Sequence, residues 1–425
     1  MQIDAIYQIY KNHPVISIDN RKVEPGCIFF GIKGEKFDGN AFAKTALDEG
    51  AAYAIIDNKE FYVDERTILV NDSLKTLQEL AKMHRRSFDI PFIAICGSNG
   101  KTTTKELTYA VLSSAFNAFA TKGNLNNHIG VPLTILSIPA NTEMAIIEIG
   151  ANHLQETYDL CEIAEPSHGI VTNNGKDHLE GFGSIENVIT ANGELFKWLR
   201  KSMGTAFVNY NYPDLVKASS GLSLVSYGGE PTCTFVYKNV PGVYASIQVG
   251  KEDLVISSQL FGDFNGDNIA TAAVIGKHFS VSDDKIKLAI ENYKPGMNRS
   301  QIFQKDQVTY YIDCYNANPS SMKLAIDSFI KSAQSPKALI LADMLELGDH
   351  SEKEHSLIID QIKGKDIQKV VLIGKYFGML KDQIPCVHFD KTEEAKTWFN
   401  DQSFTGWSIL LKGSRGYALE KLINF

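Results

Sequence analysis

No stretch of the chain is long and apolar enough to cross a bilayer, a span that needs about 20 such residues. The opening residues, MQIDAIYQIY, carry neither a basic start nor an apolar run, so no secretory leader is expected. Cysteine is sparse. Its six copies (Cys27, Cys96, Cys161, Cys233, Cys314, Cys386) lie far apart with no CxxC pair, which argues against a zinc ribbon or a disulfide framework and leaves reduced thiols as the expectation. Positive charge is in deficit, with 42 Lys and Arg against 50 Asp and Glu and a net charge of −8. Without a basic stripe, nucleic acid is not an expected partner. Internal repeats and low-complexity tracts are missing too. From these absences a cytoplasmic protein with no membrane contact is expected; a monomer is the separate expectation for its assembly.

What is present is an ordinary globular balance, 44% hydrophobic and 22% charged, over 425 residues. That length is too great for one core and suggests about three domains. Short apolar runs alternate with helix-length patterned stretches throughout, the signature of an α/β chain. Residues 1–88 read as a small N-terminal α/β domain. Residues 89–295 read as a central domain with a parallel sheet and a phosphate loop. Residues 296–425 read as a C-terminal, Rossmann-like, doubly wound domain, with strands at 308–312, 338–341, 370–373 and 409–411.

The strongest signal is FIAICGSNGKTTT, residues 92–104. Phe92 to Cys96 form a buried-strand pattern, and a helix of good formers is expected from about Thr103. Between them lies Gly97-Ser98-Asn99-Gly100-Lys101-Thr102, a short GxxGKT form with Ile95 where the longer motif has glycine. Glycines let backbone N–H groups face a polyphosphate, and the helix N-terminus adds partial positive charge. Lys101 can reach outer phosphates and the Thr102 hydroxyl can ligate Mg²⁺. A plain structural turn is the competing account.

Other candidates are weaker singly. Asp19-Asn20-Arg21 and the loop Lys33-Gly34-Glu35-Lys36-Phe37-Asp38-Gly39 are polar and glycine-bearing, and either bind a ligand or are solvated turns. The amide-rich stretch Thr121–His128 could read a sugar or peptide. Glu148 ends a buried strand beside the phosphate loop, where Mg²⁺ ligands sit in such sheets. His178 and Glu180 follow the strand at 169–172; as a lone HxE they are a weak zinc signal. Asn265 and Asn268 either cap an Ala-rich helix or read a base edge. In the last segment Asp313, Tyr315, Asn316, Asn318, then Asp343 and Glu346, then Lys412, Ser414 and Arg415 all fall just past strand ends, which together suggest a binding face.

Taken together, ICGSNGKTTTKE (95–106), GNLNNHIGVPLTIL (123–136), EIGANH (148–153), HLEGFGS (178–184), NRSQ (298–301), DCYNANPSSM (313–322), ADMLELG (342–348) and KGSRG (412–416) resemble the Mur ligase family, most closely its MurF type. The resemblance implies ATP and Mg²⁺ as cofactors, UDP-N-acetylmuramoyl-tripeptide and D-alanyl-D-alanine as substrates, and an acyl-phosphate route to an amide bond in peptidoglycan synthesis. It implies that Gly97, Asn99, Gly100, Lys101, Thr102 and Thr103 hold the phosphates, and that Thr102, Glu148 and His178 belong to the metal cluster. Lys101, Glu148 and His178 would then be the catalytic set. Asn265, Asn268, Arg299, Asp313 and Tyr315 would surround the nucleotide. Asn20, Arg21, the loop from Lys33 to Gly39, Asn124, Asn126 and Asn127 would meet the UDP-peptide. Asn316, Asn318, Lys412, Ser414 and Arg415 would lie toward the substrates, the last three near the dipeptide.

The sequence departs from that pattern at Asn192, where the family usually has a lysine that becomes carbamylated. Asp177, beside His178, stands where a small residue is usual, and is expected to restore part of the lost charge at a second metal. The alternatives are another amide ligase of the same superfamily, such as a folylpolyglutamate synthase, and a weakly active or silent nucleotide-binding paralogue.

Overall fold

A computed structural model describes residues 2–34, 37–250 and 254–423. Three sheets follow one another along the chain. The first has four short parallel strands in sequence order, Ile16–Ser17, Ile28–Phe30, Tyr53–Ile56 and Thr67–Leu69. The second has nine. Third from one edge, Phe92–Cys96, with the bounds its apolar run predicts, lies between His168–Val171 and Met144–Glu148, parallel to both. Ala118–Ala120 forms one edge, while Thr205–Asn209, Ser223–Gly228 and Phe235–Val240 continue the parallel order on the other side. Tyr244–Val249 and Leu254–Phe261 finish that side antiparallel. The third sheet is parallel through Val308–Ile312, Ser408–Lys412, Lys337–Ala342, Lys369–Ile373 and Val387–Phe389, with Gln301–Lys305 antiparallel at one edge.

Strand alternation explains how the central sheet is sandwiched. Phe92, Ala94 and Cys96 point into one apolar cluster, and Ile93 and Ile95 into the other. The first cluster also takes Ile6, Tyr10, Leu77, Leu80 and Ala81, so the N-terminal helices share a core with the central sheet. On the far side Leu179, Phe182, Val188 and Ala191 join Met344, Leu347 and Leu410. Each fully buried side chain of this kind is worth roughly 1.5–3 kcal/mol, enough for these shared clusters to hold the three sheets in contact.

Topology then fixes where a ligand can bind. A parallel sheet opens a crevice at the carboxyl ends of its strands where neighbouring connections diverge. Here those ends carry the Gly97–Gly100 loop, Glu148 and the segment starting at Thr172. No helix of the described residues is long and apolar enough to cross a membrane. The six cysteines are free thiols, five of them buried.

Candidate active site

A cavity of about 600 Å³ lies over that crevice, walled by the central sheet on one side and the third sheet's loops on the other. The helix on its floor runs Lys101–Ser113, starting two residues earlier than its composition predicts. Gly100 takes the left-handed conformation (φ +81°) and turns the chain straight into the helix, with no side chain capping it. Its first-turn amides are therefore open to an anion. A Cβ on Gly100 would stand 2.4 Å from Asn268 Oδ1, and one on Gly97 (φ +122°) 2.2 Å from Thr172 Oγ1. Both positions need glycine for space as well as for backbone angle.

Side chains converge on this loop from several elements. Lys101 folds back, donating to the carbonyls of Gly97 (2.5 Å) and Ser98 (3.2 Å), with Asp177 Oδ2 at 3.7 Å. The Thr102 hydroxyl donates to Glu148 Oε1 at 3.2 Å, and Asn126 Nδ2 donates to the same oxygen at 2.8 Å. Glu148 Oε2 is buried and has no hydrogen-bond partner. Asn268 accepts from Thr104 and donates to Asn265, which in turn donates to the Phe261 carbonyl and to Ser300. Neither amide caps the helix Gly266–His278: Asn265 is its N-cap residue, yet its side chain makes no cap bond.

The third sheet supplies the opposite wall. Asn318 begins the helix Pro319–Ser332 with a capping box and donates across the cavity to Asn99 Oδ1 (2.8 Å) and Asp177 Oδ1 (3.3 Å). Arg299 stacks on the Tyr315 ring at 3.7 Å, leaving its buried Nε unpartnered. Lys412, buried, is bound by Asp313 Oδ2 at 2.6 Å. His178 Nδ1 meets Glu346 Oε2 at 2.5 Å. Desolvation opposes charge on this imidazole, but the Glu346 hydrogen bond and the Asp177 charge outweigh it and raise its pKa. The same hydrogen bond lowers that of Glu346. The two form an ion pair across the domain junction.

Of the residues singled out from sequence, Asn99 through Thr103, Asn124, Asn126, Asn127, Glu148, His178, Asn265, Asn268, Arg299, Asp313, Tyr315, Asn316, Asn318 and Lys412 line the cavity together. Others stand apart from its lining. Ser414 accepts from Leu345 N, and Arg415, half-exposed, pairs with Glu420 with its guanidinium carbon 5.9 Å from the Tyr315 ring centroid. Asn20 and Arg21 lie in a short 3₁₀ turn where Arg21 pairs with Asp19. The backbones of Lys33 and Asp38 form an isolated antiparallel bridge, Phe37 is 62% exposed, and Gly39 is buried against Ile32. Glu35 and Lys36 of that loop lie outside the described residues. Asp343 serves a structural end, accepting from Tyr376 N and Phe377 N. Asn192 is buried and donates to Asn174 at 2.8 Å. The cavity also takes in Tyr212 and Asp267, which the sequence did not single out. Tyr212 and Tyr237 both donate to Asp267 at 2.6 Å. The one signal for Asp267 was its position between two amides already marked.

Comparison with known proteins agrees along most of the chain. Residues 14–85 match the Mur ligase family catalytic domain, 95–276 the Mur ligase middle domain, and 298–415 the Mur ligase glutamate ligase domain. A UDP-N-acetylmuramoyl-tripeptide–D-alanyl-D-alanine ligase of Escherichia coli (strain K12) is 32% identical over 425 residues, covering 96% of this chain and 92% of the relative. The chain belongs to the Mur ligase family. The ligase of the same name from Bacillus subtilis (strain 168) is 31% identical over 426 residues, with the same two coverages. In three dimensions this Mur ligase is similar to MurF from Acinetobacter baumannii (TM-score 0.86, 26% identity, 96% of this chain and 92% of that one). It is equally similar to MurF ligase from Thermotoga maritima in complex with ADP (TM-score 0.85, 26% identity, 96% of each chain). A folylpolyglutamate synthase of Mycobacterium tuberculosis, 14% identical at TM-score 0.63, shares the fold alone with this Mur ligase.

Proposed function

We propose that this Mur ligase uses ATP to join D-alanyl-D-alanine to UDP-N-acetylmuramoyl-tripeptide in peptidoglycan precursor synthesis, acting as a cytoplasmic monomer. The observation that carries the reading is the Thr102–Glu148–Asn126 cluster at the foot of the phosphate-loop helix, inside a cavity closed by Asn318 reaching Asn99. That geometry suits carboxylate activation. A carboxylate is a poor electrophile, so the γ-phosphoryl group passes to the tripeptide's terminal carboxyl, giving an acyl phosphate and ADP. The dipeptide's free amine then adds to that carbon, and the tetrahedral adduct expels phosphate to leave the amide. Catalysis here is chiefly positioning and neutralisation of charge.

In this scheme Gly97, Asn99, Gly100, Lys101, Thr102 and Thr103 cradle the phosphates, Lys101 exchanging its two carbonyls for phosphate oxygens. Asn265, Asn268, Asp313 and the Arg299–Tyr315 stack enclose the rest of the nucleotide. The donors suit Mg²⁺: a buried carboxylate oxygen without a partner, beside a hydroxyl. Among the described residues no group of three or more His, Cys, Asp or Glu could hold a metal ion. Thr102, Glu148 and His178 are the residues that would hold Mg²⁺, a hard cation that takes oxygen ligands and keeps several waters. Mg²⁺ would neutralise charge on the transferring phosphoryl group. Asn124, Asn126 and Asn127 serve the UDP-peptide, with Asn20, Arg21 and the 33–39 loop at its far end. Asn316, Asn318, Lys412, Ser414 and Arg415 serve the dipeptide side. We also propose the domain limits 1–88, 89–295 and 296–425.

The test is ADP release by purified protein with each tripeptide and D-alanyl-D-alanine. Release that requires both substrates, with one amide formed per ADP, supports the proposal. Release that ignores the dipeptide, or none at all, overturns it.

A further inference from the structure

Lys105 reads from sequence as an ordinary helix lysine beside an acidic neighbour. Its side chain is instead 0% exposed. A helix lysine at a protein surface normally bends its ammonium back to water, because burying it costs several kcal/mol unless it is paired and hydrogen-bonded. This one is both. Nζ donates to the Thr121 carbonyl at 2.6 Å and reaches that of Gly123 at 3.4 Å. Glu106 Oε1 lies at 2.8 Å and Glu148 Oε2 at 3.9 Å. That last oxygen is the buried one without a hydrogen-bond partner.

Through its own helix and these contacts the ammonium joins three walls of the cavity. Lys105 belongs to the phosphate-loop helix, one turn beyond Thr102. The carbonyls it holds belong to the segment that runs straight into Asn124, Asn126 and Asn127. Asn126 returns to Glu148 by donating to its other oxygen, and its own carbonyl accepts from Gly150 N. Strand Met144–Glu148 is also tied to this segment, since Thr121 Oγ1 accepts from Glu148 N. We propose that Lys105 is a positioning residue for the ligase reaction. Its charge steadies the far oxygen of Glu148 while Thr102 and Asn126 hold the near one, and its two carbonyl contacts hold the amide loop in register with the phosphate site. The inference rests on the reading of Glu148 as a cation ligand.

The test uses full-length protein and equilibrium binding of a non-hydrolysable ATP analogue, titrated with Mg²⁺, so that turnover is not the readout. Groups that orient a metal ligand typically govern 10–100-fold in metal affinity, so Lys105→Met is expected to raise the Mg²⁺ midpoint by about tenfold. In steady state the same variant should raise KM for the UDP-tripeptide, because the amide loop has lost its mooring. Lys105→Gln keeps a donor for the Thr121 carbonyl without the charge. It should restore much of that KM while leaving the Mg²⁺ midpoint high. A strut alone would lower the melting temperature but leave both constants of the folded protein unchanged. Glu148→Gln is the control. If it fails to move the Mg²⁺ midpoint, the reading of Glu148 falls; if it moves it and neither Lys105 variant does, only the present inference falls. Failure of both Lys105 variants to fold would make the lysine a strut and would equally overturn it.

Discussion

Lys101 is satisfied by carbonyls of its own loop, so a phosphate does not have to be desolvated against an empty ammonium; the lysine changes partner. Removing it should leave the helix intact, since its side chain is not part of any apolar cluster. Lys101→Ala is expected to lower kcat/KM for ATP by about 10²–10³-fold, the usual cost of one aimed charge-stabilising donor. Circular dichroism should be unchanged, and loss of the fold instead of activity would contradict this role. A second residue-scale prediction concerns acid. His168 stacks among Phe207, His278 and Phe279, and burial, aided by His278, pulls its pKa from 6.5 down to about 4. The folded form binds this proton less readily than the unfolded chain. The stability it contributes is therefore full above pH 6.5 and is lost as pH falls toward 4. His168→Phe should flatten the fall in melting temperature over that interval. An equal fall in both proteins would assign the acid sensitivity elsewhere.

The phosphate loop as an element depends on two backbone angles that only glycine takes without strain. Gly97→Ala would combine a φ of +122° with a Cβ 2.2 Å from Thr172 Oγ1. Strain of this sort costs about 1–3 kcal/mol, and the loop can relieve it only by leaving its position over the sheet. The variant should lose nucleotide binding in calorimetry while other parts of the molecule still melt cooperatively. Retained affinity would show that the loop tolerates a shift. Elements of this kind were legible in sequence because short runs rich in apolar, β-branched and aromatic residues, ended by a polar residue or glycine, have few other uses. The runs at Phe92–Cys96 and Val308–Ile312 predicted their strands to the residue. Gln301–Lys305 was not legible: QIFQK alternates without an apolar face, and only pairing with Val308–Ile312 makes it a strand. The direction of a side chain on a loop was equally hidden. Lys412 and Arg415 lie three residues apart in one motif, yet Lys412 is buried on Asp313 while Arg415 stays half-exposed on Glu420. Lys105 escaped notice for the same reason, since its burial is decided by strands and loops far along the chain.

At the scale of the whole molecule, the site exists only while the central and third sheets stay together. Several polar contacts cross that junction beside the cavity, four of which involve different side chains of the third sheet's loops and helices. Asn318 bonds Asn99, Lys176 N donates to Ser320 Oγ, Glu346 pairs with His178, and Lys176 Nζ meets Glu354 at 2.6 Å. Leu179 and Phe182 add apolar packing against Met344 and Leu347. The Lys176–Glu354 pair can be tested without touching the cavity, since neither residue lines it. Its carboxylate is 5% exposed and its ammonium 43%, so the pair is half-screened and its worth lies near the 0.2–1 kcal/mol of partly exposed bridges. At about 1.4 kcal/mol per factor of ten, Glu354→Gln should loosen the docked arrangement only a few-fold. Affinity for an ATP analogue should fall by the same few-fold, because the nucleotide needs both walls. Small-angle scattering without nucleotide should show a larger radius of gyration for the variant, and saturating analogue should bring it back to the wild-type value. Raising salt should move wild type toward the variant, since screening weakens the same pair. If radius, affinity and salt response all match wild type, the apolar contact alone holds the junction and this ion pair has no part in assembling the site.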